Sequence, residues 1–73
     1  GALADFNRAI QINPNFANAY YNRSLLKQNK LNDRVGAIDD MNRAAKIYQQ
    51  QGQIQDYQQA IDLLKKWQQR GGN

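Results

Sequence analysis

Residues 1–12 read GALADFNRAIQI, and residues 36–47 read GAIDDMNRAAKI. Seven of the twelve positions are identical: Gly, Ala, Asp, Asn, Arg, Ala and Ile. Leu3 against Ile38 and Phe6 against Met41 keep the apolar character. A 73-residue chain that repeats itself at an offset of 35 is a piece of a repeat architecture. In such folds each unit stacks only on its neighbours, and the stack presents a surface to a partner more often than a reaction centre.

Composition narrows the chemistry. Cysteine and histidine are both absent. That removes disulfides, thiolate chemistry, the commonest general base and the commonest metal ligand. A reducing, cytoplasmic setting fits a chain without cysteine. The formal charge of +4 is basic but not the dense Lys/Arg block of a nucleic-acid tail. No apolar run approaches the roughly 18 residues of a membrane span. There is no glycine-rich phosphate loop, metal-ligand cluster or nucleophile constellation, so neither cofactor nor catalysis is expected.

Apolar spacing places four helices. The first, about 2–12, carries Leu3, Phe6 and Ile10 on one face and ends at Asn13-Pro14, because the residue before proline leaves the α region. The second, about 16–30, carries Phe16, Ala19, Tyr20 and Leu26, with Asn15 as the expected N-cap. NKLND, residues 29–33, forms a turn, and Asp33 is the expected cap of a third helix over 34–51. Val35, Ile38, Met41, Ala45 and Tyr48 make its stripe. Gly52 suits the C′ position, where φ is positive. The fourth, about 54–69, carries Ile54, Tyr57, Ile61, Leu64 and Trp67, with Gly71-Gly72 as its stop. Strand signals are missing and every connection is short, so the expected class is all-α with antiparallel neighbours.

The run PNFANAYYNRS, followed by GAIDDMNRA, resembles a tetratricopeptide repeat (TPR). Ala2, Phe6 and Pro14 match the A-x₃-F…P half of one repeat, and Ala37 and Met41 match it again in the next. Tyr20 stands at the aromatic position and Ser24 at the small one. Arg23 and Lys27 depart from the pattern, standing where the family prefers Leu and Tyr. The resemblance divides the chain into 1–14 (second half of a repeat), 15–52 (a full repeat), 53–70 (a C-terminal capping helix) and 71–73 (a tail). It also marks the chain as a piece of a longer array.

The resemblance implies a peptide or partner helix held on the first helix of a pair. The matching positions are Asn18, Tyr21, Asn22, Leu25 and Gln28. Asn22 stands where an asparagine can bond a bound peptide's backbone, since an amide both donates and accepts. The expected role is therefore a protein-interaction scaffold, with a purely structural cap of a longer array as the alternative. Self-association through the exposed repeat ends is a further expectation. Arg23, Lys27 and Lys30 form a basic stripe that could attract an acidic peptide; nucleic acid is not expected as a partner. Asp39 and Arg43 are spaced for a helical ion pair, whereas Asp5 and Asp40 recur at equivalent positions and belong to the scaffold.

Overall fold

The computed structural model describes residues 1–71, with side chains through Gln69. Four helices follow in order: α1 (Ala2–Ile12), α2 (Ala17–Asn29), α3 (Arg34–Gln50) and α4 (Ile54–Gly71). Each helix packs chiefly on the next one in the chain. The result is a shallow layer with extents of 38 × 30 × 13 Å, little more than one helix thick. In the α2–α3 pair, Asn18 meets Tyr48, Ser24 meets Met41 and Lys27 meets Asp40. Residue numbers rise on one helix as they fall on the other, so the pair is antiparallel.

The caps are read from local chemistry. Asn13 leaves α1 in an extended conformation ahead of Pro14, with φ −138° and ψ 93°. Asp33 caps α3 by accepting the Gly36 N–H at 2.9 Å. At the other end of α3, Gly52 takes φ 74°. The Gln53 N–H then reaches the Tyr48 carbonyl at 2.9 Å, and the Gly52 N–H reaches Gln49 at 3.2 Å. Those two bonds form a Schellman closure, which glycine adopts without strain. In the α2–α3 turn, Asn32 holds the left-handed region at φ 53°, a conformation asparagine tolerates better than bulkier residues.

Some expectations are corrected. Asn15 does not cap α2; Phe16 occupies the cap position without a side-chain bond, and the Asn13 side chain takes the Asn15 N–H at 3.1 Å. An Asx-type turn has won over the cap. Val35 is 77% exposed and Ile54 61%, so both apolar stripes begin one turn later than the spacing predicts. Asp39 and Arg43 form no ion pair: among the described residues, both ion pairs go to Asp40. Gly71 closes α4 from within, while Gly72 and the rest of the expected tail lie outside the described residues.

The core centres on α3. Ala37, Met41 and Ala44 are fully buried, with Ala45, Ile47 and Tyr48 nearly so. From one side α2 adds Ala17 and Tyr20; from the other α4 adds Ala60, Leu64 and Trp67. Small residues at 37, 44 and 60 let helices approach, and Met41, Tyr20 and Trp67 fill the space between them. Burying Trp67 contributes roughly 1.5–3 kcal/mol. In contrast, α1 contains no fully buried residue.

Candidate peptide-binding face

Asn18, Tyr21, Asn22, Leu25 and Gln28 recur at i, i+3, i+4, i+7 and i+10 and so share one side of α2. None of the five is among the residues that α2 buries, which are Ala17, Ala19, Tyr20 and Ser24. Of the five, Asn18 and Asn22 are exposed, and Tyr21, Leu25 and Gln28 are half-buried. Tyr21 and Leu25 rest on the core at their inner edges. The face therefore has an apolar floor between two amides.

Tyr48, a residue absent from the sequence reading of this face, organises it. Its hydroxyl donates to Asn18 Oδ1, which leaves the Asn18 amide N–H groups to donate elsewhere. Its ring meets Tyr21 edge-on, with centroids 6.4 Å apart and planes at 66°. Burial first, then the charge of Asp56, raises the Tyr48 pKa above the ordinary tyrosine value. Tyr48 already fell on the apolar stripe of α3, but the spacing could not show that its hydroxyl reaches α2. Beside Asn18 lies a cleft of about 250 Å³, lined by Asn13, Asn15, Gln51 and Gln53 as well as Phe16. It extends the amide-rich surface past the N-terminus of α2.

Two of the three cations of the basic stripe, Arg23 and Lys27, are engaged within the fold. Arg23 grips Asp40 with Nε and Nη2, both at 2.7 Å, and Lys27 Nζ reaches the same carboxylate at 3.1 Å. Arg23 Nη1 donates to Asn7 of α1 at 2.8 Å. One guanidinium thus ties three helices together. Burial pushes the Asp40 carboxyl up, but the hydrogen bonds from Arg23 and Lys27, with their charges, bring its pKa below the ordinary aspartate value. The Asp40 hydrogen bond in turn raises the Arg23 pKa. Arg23 also lies over the buried Tyr20 ring, 5.5 Å from its centroid, so the Tyr20–Arg23 pair offers no platform for a base. Of the stripe, Lys30 alone is fully exposed.

Residues 1–32 match the family model described as TPR repeat. That segment is a tetratricopeptide repeat. The match covers α1 and α2, and the 35-residue recurrence carries the TPR pattern on into α3. No curated protein and no solved structure gives a significant match to the chain. TPR units generally act as protein-interaction modules and are typically non-catalytic scaffolds. No helix among the described residues is long and apolar enough to cross a membrane. The departures of Arg23 and Lys27 from the TPR pattern share one structural role: both are cations that neutralise the same buried aspartate.

Proposed function

We propose that the chain is a protein-interaction scaffold that holds a peptide or partner helix on the Asn18–Gln28 side of α2. The observation that carries this reading is the face itself, in which the exposed amides Asn18 and Asn22 stand beside half-buried Tyr21 and Leu25. The Asn22 amide can pair with a peptide backbone N–H and carbonyl together. Tyr21 and Leu25 supply contact area for an apolar side chain. Asn18, oriented by Tyr48, supplies donors at the end of the row.

The test is selection of peptides from a random library on the immobilised chain, followed by affinities for the wild type and for Asn22→Ala. Tyr21 rests on Tyr48, so its truncation would loosen the fold as well, and Asn22→Ala is the cleaner probe. Loss of affinity at unchanged melting temperature supports the face; unchanged affinity removes it. A second reading has support in α4, which sets Ala60, Leu64 and Trp67 into the core and leaves Gln55, Gln58, Gln59, Asp62, Lys65, Lys66 and Gln69 exposed. Such a polar outer side suits the closing helix of an array, with 1–14 and 15–52 as the repeat units it closes. On that reading the chain alone selects no peptide.

A further inference from the structure

A second cleft, of about 240 Å³, opens where the α1–α2 turn meets the C-terminal half of α3. Arg43, Lys46, Ile47 and Gln50 stand at i, i+3, i+4 and i+7, so one side of α3 supplies them all. Buried Tyr20 and Ile47 give the cleft apolar wall, and the exposed Arg43, Lys46, Gln50 and Asn15 give it a polar rim. No acidic residue lines it. Among the described residues both ion pairs go to Asp40, so neither Arg43 nor Lys46 is neutralised within the fold. Arg43 does not take even Asp39, the carboxylate spaced for it one turn away on α3. The recurrence matches Arg43 with Arg8 but Lys46 with Gln11. The second cation is therefore not a demand of the repeat pattern; it belongs to this unit alone. Of its lining residues the cleft shares only Asn15 with the one beside Asn18, and it includes none of the five α2 positions.

We propose that this cleft binds the phosphate of a phosphorylated side chain on a partner protein. Two cations match a phosphate monoester, which carries about −1.5 to −2 charges and three acceptor oxygens at neutral pH. A carboxylate brings one charge and two oxygens, and would leave one cation unmatched. The Arg43 fork takes two oxygens side by side, Lys46 adds a point charge, and the Asn15 and Gln50 amides have N–H groups for the third oxygen. Size selects the source. Pockets that enclose a whole small molecule run to about 300–1,000 Å³. A cleft below that range takes a headgroup and leaves the rest of the ligand outside, as a side chain projecting from another polypeptide requires. The proposal rests on the preceding reading only in taking the partner to be a protein.

The test passes three peptide pools over the immobilised 73-residue chain, alike except for phosphoserine, serine or glutamate fixed at the centre. The phosphoserine pool should be retained over the other two. A peptide selected from it should shift the amides of Asn15, Arg43, Lys46 and Gln50 in NMR titration and bind more tightly than inorganic phosphate. Arg43→Gln and Lys46→Gln should each lower its affinity about tenfold, the loss of one charge-assisted contact, with unchanged melting temperature. Lys46→Gln installs the residue that α1 carries at the matching position, so the helix should tolerate it. Arg8→Gln removes the same charge from the exposed counterpart on α1 and should leave affinity unchanged, as should Asn22→Ala. The proposal is overturned if the serine or glutamate pool is retained equally, or if no pool is retained. It is overturned if inorganic phosphate binds as tightly as the peptide, which would make the ligand a free anion. Equal losses for Arg8→Gln and Lys46→Gln would reduce the effect to net charge and overturn it. A loss in Asn22→Ala would put the peptide on the α2 row instead.

Discussion

Replacing Asp40 by Asn keeps the side-chain shape and removes the charge that Arg23 and Lys27 share. The Asp40 side chain is 5% exposed, and it accepts two bonds from Arg23 and one from Lys27. Removing one partner of a buried ion pair costs about 3–5 kcal/mol. Here the Arg23 and Lys27 side chains are 18% and 20% exposed and regain some hydration, and Asn retains one acceptor oxygen. The expected loss is therefore about 2–3 kcal/mol. At roughly 4–8 °C per kcal/mol for a domain this small, the melting temperature should fall by roughly 10–20 °C. Unfolding in urea, followed by circular dichroism and Trp67 fluorescence, measures it. Arg23→Leu alone should cost a similar amount, because Asp40 then stays buried with one cation. The triple variant Arg23→Leu, Lys27→Leu, Asp40→Leu should lose no more than Asp40→Asn alone, since no charge is left stranded. Because the folded pKa of Asp40 is lowered, its contribution is complete above the unfolded carboxyl pKa of about 3.9 and is lost as pH falls through the folded value. The wild-type and Asp40→Asn stabilities should thus converge on acidification. A loss under about 0.5 kcal/mol for Asp40→Asn, or a triple variant equal to the sum of its parts, refutes the reasoning.

Asp33→Ala should cost about 1 kcal/mol in chemical unfolding through loss of the α3 cap, and Gly52→Ala about 1 kcal/mol through strain at φ 74°. Trp67→Ala should cost about 3–5 kcal/mol and leave little folded protein by circular dichroism, since it empties the contact between α4 and the core. Tyr48→Phe keeps the ring contact with Tyr21 but frees Asn18; it should cost about 0.5–1.5 kcal/mol and weaken any peptide held by the α2 face.

Most of the fold could be read from residue order, because helix ends are set by local chemistry. Pro14 behind Asn13, Asp33 ahead of Gly36, and Gly52 after α3 each act on the backbone within a few residues. Burial was harder to read. Val35 and Ile54 sit in the first turns of their helices, where the apolar period continues but no neighbour reaches. Arg23 and Lys27 were visible as departures from a pattern and Asp40 as a recurring scaffold position, yet the meeting of Arg23 with Asp40 spans 17 residues of sequence and needed the antiparallel pairing of α2 and α3. The same limit hid Tyr48 behind Asn18, 30 residues away.

The central claim, that the amide-flanked side of α2 is the binding face, is tested most directly by NMR shift mapping with a library-selected peptide. Perturbed amides should cluster from Asn18 to Gln28 and around Tyr48, leaving the outer side of α4 unchanged. Shifts gathered on α4 or on α1, with the α2 row silent, would contradict the account.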